Sequence, residues 1–330
     1  MKRLSLVLLA ACCLAVLAVT AAGAQDKYPS KAIRILVPYA PGGATDIVAR
    51  IVGEQMRQIL GQPVIVENKP GAYGLIAIEE MNRSKPDGYT LMVGNVSTNA
   101  ITPALFAKKF SRPYETSVVP VMRLVDIPAF LVVTAKNFPP KDVAELVAYA
   151  KARPGAVRYG TVGVGSYPHY DMAVFAKRAG LEMTGIPNKA GASGVLNDMM
   201  TGDTQVAFLN VASTAPVVNA GLVRSLAVTN PTRLPEHPNV PTMEEVGFPG
   251  VGTSAWQIMV APAGTPPEVL ETIRKAAAQA MQVPSVIENF KKQNFSITAS
   301  ASLDEAKTWA AAEMAHWKQI TEEVKIDVPE

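Results

Sequence analysis

The chain has 330 residues, nearly half of them apolar, which is enough to bury full cores in two domains. Residues 1–24 read as a signal peptide: Lys2 and Arg3 precede an apolar run over 4–20, and Ala22-Gly23-Ala24 offers a small-residue cleavage site before Gln25. Once that leader is removed, 29 basic residues face 28 acidic ones, and this balance excludes an electrostatic footprint for nucleic acid or an anionic membrane surface.

The leader's apolar run, about 17 residues, is at the lower limit for a spanning helix, and a cleavage site follows it. Leu9-Ala10-Ala11-Cys12 resembles a lipoprotein box, a lesser alternative because the apolar run continues past Cys12. Cys12 and Cys13 are the only cysteines, so the mature chain has no thiol, disulfide or thiolate metal site. An exported protein located in the periplasm is expected.

Strands and helices alternate from there on. Residues 31–37 read as a strand. After Pro38-Tyr39-Ala40-Pro41-Gly42-Gly43, apolar residues recur at helical spacing from Ile47 to Leu60, where Gly61 ends the helix. A strand over 63–66, a helix over 75–83 and a strand over 89–93 follow. Further strands are expected near 121–124, 130–134, 157–160, 183–186, 205–209, 225–229 and 256–260. Helices fit 143–152, 168–179, 195–201 and 214–220. Two long helical segments, 267–292 with a break at Val283-Pro284 and 303–324, close the chain. This alternation argues for α/β lobes built on mostly parallel sheets.

In open α/β sheets, ligands bind beyond the carboxyl ends of the strands. The loops there are 38–46, 95–99, 161–169, 187–193 and 210–214. They are rich in Gly, Ser, Thr and Asn, with Lys189 their one cation and Asp46 their one acid. Glycine lets backbone approach a ligand, and the first N–H groups of a helix have no internal partner, so such loops suit an anion held without a countercharge. Asp46 reads as an N-cap or first-turn acid; its functional alternative is to order the loop or meet a ligand ammonium.

Enzyme motifs are absent. The run Gly160-Thr161-Val162-Gly163-Val164-Gly165-Ser166 is neither a P-loop nor a dinucleotide fingerprint, and no G-x-S-x-G elbow occurs. The histidines, His169, His237 and His316, lack zinc spacing, so neither a metal nor a cofactor is implied. His237 and His316 read as solvent-facing. His169 opens a helix, where its neutral ring either donates to a carboxylate or satisfies the loop's own carbonyls. A Ser166–His169 nucleophilic pair defines the alternative of an exported hydrolase, for which no third group is identifiable.

The segment from Tyr28-Pro29-Ser30-Lys31 through Val37-Pro38-Tyr39-Ala40-Pro41-Gly42-Gly43-Ala44-Thr45-Asp46 closely resembles the start of mature Bug receptors, the solute-binding proteins of tripartite tricarboxylate transporters. Val66-Glu67-Asn68-Lys69-Pro70-Gly71-Ala72, Lys85-Pro86-Asp87-Gly88-Tyr89, Gly163-Val164-Gly165-Ser166 with His169, and Val240-Pro241-Thr242-Met243 also match. Trp256 and Ala261-Pro262-Ala263-Gly264-Thr265-Pro266 extend the resemblance over essentially the whole mature chain.

The resemblance implies a two-lobed α/β periplasmic-binding-protein fold of type II, hinged by two crossing strands near 124–128 and 248–254. Lobe 1 would comprise 25–124 and 252–330, and lobe 2 residues 125–251. It implies a receptor, acting as a monomer, that closes on a small mono-, di- or tricarboxylate and delivers it to the membrane subunits of a transporter. A sensor reporting to a membrane kinase is a second alternative. The family's two gripping loops map onto Tyr39, Ala40, Gly42, Gly43, Thr45 and Asp46 in the first lobe and Gly163, Gly165, Ser166 and His169 in the second. Ser97, Thr98, Lys189 and Asn210 from the neighbouring loops complete the candidate site. Lys189 either meets a further ligand carboxylate or is a solvated loop lysine. The chain departs from the family at Tyr170, where leucine is usual, at Ile186-Pro187-Asn188-Lys189-Ala190-Gly191, and at Phe208-Leu209-Asn210.

Overall fold

The computed structural model describes residues 28–188 and 190–328. The expected leader and Lys189 lie outside the described residues.

The chain begins with β1 (Ile33–Val37), an apolar strand with Ile33, Ile35, Leu36 and Val37 fully buried. α1 (Ala44–Leu60) buries Val48, Ala49, Val52 and Met56, the 3-4 spacing that sets one apolar face. It stops at Gly61, whose φ of 68° only glycine adopts freely, and whose N–H closes on the Arg57 carbonyl. Then come β2 (Val64–Asn68), α2 (Leu75–Arg83) and β3 (Thr90–Asn95). A π-type turn over Ser97–Ile101 and two one-turn helices, α3 (Thr102–Leu105) and α4 (Tyr114–Ser117), lead into β4 (Val118–Ile127).

After Pro128 the chain enters a second sheet through β5 (Ala129–Thr134). There α5 (Val143–Lys151), β6 (Arg158–Thr161), α6 (Tyr167–Ala179), β7 (Thr184–Pro187), α7 (Gly191–Thr201), β8 (Val206–Asn210), α8 (Val211–Asn219) and β9 (Val223–Val228) follow. The chain returns to the first sheet as β10 (Ala255–Pro262), and α9 (Pro267–Ala280), α10 (Pro284–Lys292), β11 (Ser296–Ile297) and α11 (Leu303–Glu323) finish that lobe.

The first sheet runs β11-β4-β10-β3-β1-β2 and the second β7-β6-β8-β5-β9. Both are mixed, which corrects the expectation of mostly parallel sheets. β10 is antiparallel to β3 and β4, and β5 is antiparallel to β8 and β9. The reason is topological. A strand arriving from the other lobe enters at the edge where the parallel strands end, so it must run against them.

Each sheet is packed on both faces, giving four apolar clusters. One of them crosses the lobes: Tyr167 and Tyr170 of α6 sit in the same cluster as Ala310 and Trp317 of α11. The rings of Tyr170 and Trp317 meet edge to face with centroids 6.1 Å apart, a contact worth about 0.5–1.5 kcal/mol beyond its area. Lys177 of α6 pairs with Glu323 at 3.1 Å, and Val328 reaches the Gly165 loop. His237 is half-buried, with its ring edge-on to Phe130 at 5.1 Å, so it does not simply face solvent.

Candidate functional site

The carboxyl ends of β1 and β6 open into the two glycine-rich loops. In the first, β1 ends at Val37 and α1 begins at Ala44 with Gly43 as its N-cap. Gly43 has an ordinary φ of −79° and no side chain with which to cap the helix. The N–H groups of Ala44, Thr45 and Asp46 therefore meet no partner among the described residues. They carry the positive end of a 17-residue helix dipole.

Asp46 is 3% exposed and fully engaged. It accepts from the Gly42 N–H at 2.9 Å, from Asn68 Nδ2 at 2.8 Å and from Arg50 Nε at 3.0 Å. Asn68 Nδ2 also donates to the Tyr39 carbonyl at 3.0 Å, which ties β2 to the loop. Burial alone would raise the Asp46 pKa, but the hydrogen bonds from Arg50, Gly42 and Asn68 outweigh it and hold the carboxyl below its usual range. Of the two functions open to Asp46, ordering the loop is the one its contacts serve.

Behind the loop, the Tyr39 hydroxyl donates to Asn95 Oδ1 at 2.5 Å and lies 2.5 Å from Thr98 Oγ1. Burial pushes this phenol well up, so it stays neutral. Asn95 Oδ1 also accepts the Ser97 N–H at 2.9 Å, and Thr45 Oγ1 donates to Gln257 Oε1 at 2.8 Å. Ala40 is exposed at the loop tip.

The second loop is built differently. The Gly165 N–H donates to His169 Nδ1 at 3.2 Å. An amide can only donate, so Nδ1 carries the lone pair and Nε2 the proton, which points at the Tyr159 hydroxyl 3.1 Å away. Burial lowers His169 to about 4, so the ring is neutral. This corrects the structural role expected of His169: among the described residues the ring accepts a loop amide and does not donate to a loop carbonyl. Ser166 Oγ donates to the Gly163 carbonyl at 2.7 Å, as does Thr161 Oγ1 at 2.7 Å. With both ring nitrogens and the serine hydroxyl engaged elsewhere, no Ser166–His169 pair exists and the hydrolase alternative loses its geometry.

The lobes touch at this level: the Tyr167 N–H, at the start of α6, donates to Ser97 Oγ at 3.2 Å. Loops 39–46 and 97–98 thus meet through Tyr39 and Thr98, and the start of α6 meets Ser97. Asn210 is the N-cap of α8, its Oδ1 accepting the Ser213 N–H at 2.9 Å. Sequence reasoning missed Asn68, Asn95, Tyr159 and Gln257. Signals existed for three of them: Asn95 opens the loop 95–99, Asn68 lies in the matching segment 66–72, and Gln257 is the one amide in an apolar strand.

A separate cavity of about 550 Å³ lies between α11 and the first sheet, lined by Trp256, Ile258, Ala310 and Met314 among others. None of residues 39–46 or 163–169 lines it. Among the described residues, no group of acidic, cysteine or histidine side chains is arranged to hold a metal.

Comparison with known proteins follows the same lines. Residues 48–326 match the model of the tripartite tricarboxylate transporter family receptor, TctC. The chain is 32% identical over 300 residues to BugT of Bordetella pertussis, covering 90% of each protein. An R. palustris protein solved with adipate superimposes with a TM-score of 0.82 at 29% identity, covering 92% of this chain and all of that one. MatC of Rhodopseudomonas palustris, solved with bound malate, gives 0.79 at 27% identity over 89% of this chain and 99% of its own. Two mixed α/β lobes of the type II periplasmic-binding-protein fold belong here to a receptor and not to an enzyme, and this chain is a member of the TctC/Bug family of periplasmic solute receptors of tripartite tricarboxylate transporters.

Proposed function

We propose that this receptor captures a small organic carboxylate between loops 39–46 and 163–166 and delivers it to the membrane subunits of a tripartite transporter, after export with a leader cleaved after Ala24. The observation that carries the reading is the uncapped amino end of α1, whose N–H groups at Ala44, Thr45 and Asp46 meet no partner among the described residues, while the nearby cation, Arg50, is already paired with Asp46. Neutral donors of this kind favour a carboxylate without the desolvation cost of a buried lysine or arginine. The second loop contributes the Val164 N–H, which meets no partner among the described residues. Two such loops on opposite lobes suit a ligand with an anionic group at each end, and the related proteins solved with adipate and malate hold dicarboxylates.

The test is thermal unfolding against a panel of mono-, di- and tricarboxylates that includes malate and adipate. An acid at 100 times its Kd stabilises the protein by about 2.7 kcal/mol. Gly43→Asp is the matching control. A Cβ there meets only the Ala40 carbonyl, at 3.8 Å, so the fold accepts it, while its carboxylate caps the donors and repels the ligand. A panel without any shift defeats the proposal, and a Gly43→Asp variant with full affinity removes the first loop from the site.

A further inference from the structure

All eight residues of β10 are buried, and Gln257 is the single amide among them. A primary amide is costly inside an apolar strand unless its polar atoms are bonded. Gln257, 1% exposed, is only half bonded. Its Oε1 accepts the Thr45 hydroxyl at 2.8 Å, while its Nε2 meets no acceptor among the described residues.

Its place explains the imbalance. The register sets Gln257 beside Asn95 of β3, and the pairing with β4 slips between Gln257 and Ile258. Such a slip re-aims the side chain next to it. Thr45 belongs to the first turn of α1, whose own N–H groups are unpartnered, and Asn95 holds Tyr39 and Ser97. Because Thr45 occupies the carbonyl end of the amide, the NH₂ end is turned away from Thr45.

We propose that Gln257 is a specificity-determining residue of the first-lobe site, its Nε2 donating to one oxygen of the bound carboxylate beside the amino end of α1. Thr45 is the positioning residue that fixes the amide's orientation. The inference rests on the carboxylate reading above and deepens it. An amide NH₂ only donates, so this end of the site selects an acceptor oxygen, such as that of a carboxylate, and rejects an ammonium group.

Calorimetric titration with malate and adipate, and with the tightest acid of the panel, tests this on the wild type and the variants Gln257→Met, Gln257→Glu and Thr45→Val. Gln257→Met, of similar length and without a donor, weakens binding at least tenfold with the unfolding midpoint of the ligand-free protein little changed. Gln257→Glu sets anion against anion and weakens it at least a hundredfold. Thr45→Val lies between the wild type and Gln257→Met. Gln257→Asn, which withdraws the amide by one methylene, replaces Gln257→Met should that variant not fold, and it too weakens binding. Affinities of the Met (or Asn) and Glu variants within twofold of wild type overturn the inference and leave the receptor reading standing. If no acid of the panel binds the wild type, both fall together.

Discussion

In the first loop a buried carboxylate, Asp46, gathers the Gly42 amide, Asn68 and a half-exposed Arg50; in the second a neutral ring, His169, gathers the Gly165 amide and leans on Tyr159. Both arrangements fix a glycine amide at the same remove, with the acceptor four residues after the donor. The first uses charge, compensated by hydrogen bonds; the second uses none. The difference shows in what each leaves over. Because Asp46 reaches back to Gly42, the helix start behind it keeps its donors free. The second loop spends its own: the His169 and Tyr170 amides close on the Ser166 carbonyl, and Tyr167 donates across to Ser97. On the proposed reading the first loop therefore offers an anion more free donors than the second.

The contrast can be broken most severely at Asp46. Asp46→Ala strips three neighbours of their acceptor at a site only 3% exposed, and we expect a loss of about 2–4 kcal/mol in urea unfolding together with loss of carboxylate binding. Stability unchanged to within about 0.5 kcal/mol would show that the loop holds without it.

A subtler effect comes from a neighbour of His169. Asp171 is buried and accepts from Thr253 Oγ1 at 2.6 Å and Thr253 N–H at 3.0 Å, with burial pushing its pKa up to about 7 against those hydrogen bonds. Its contribution to stability is full below the ordinary 3.8 and is lost as pH rises toward about 7. His169 behaves oppositely: its contribution is full above the ordinary 6.5 and is lost as pH falls toward about 4. Between about pH 4 and 6.5 the two slopes oppose each other. Measured as difference curves from wild type, Asp171→Asn should lose stability on acidification through this window and His169→Asn should gain it. Two variants tilting the same way would refute the assignment of neutral forms to both residues.

The smallest effect is at Tyr170, whose hydroxyl is buried without a partner. Tyr170→Phe keeps the edge contact with Trp317, and the variant is expected to be neutral or more stable by up to about 1 kcal/mol in the same unfolding assay. A loss of that size instead would mean the hydroxyl has a partner in solution.

The long elements were legible because their periods run over many residues: α1, α9 and α11 show their apolar faces in the sequence itself. The π-type turn over Ser97–Ile101 and the one-turn helices α3 and α4 were not read, since four or five residues are too few to display a period. At the site, the turn ending at Gly43 and the first-turn place of Asp46 were readable. The choice of loop ordering for Asp46 over its alternatives, and the acceptor role of His169, were not, because their partners Asn68 and Tyr159 come from strands whose register no local pattern specifies. Gln257 lies 212 positions from Thr45, a pairing that only the return of β10 into the first sheet creates.

The far end of α11 lends itself to instrumentation. Beyond Glu323, which pairs with Lys177, the backbone runs to Val328, whose side chain would lie 3.3 Å from a Cβ placed on Gly165. A small environment-sensitive dye on exposed Asp327 would sit beside the second loop and report its approach to the first lobe as an optical signal. A bulky fusion at the same place would wedge against that loop. Handles for immobilisation belong on the outer face of α10, where Ile287 is exposed and distant in sequence from either loop.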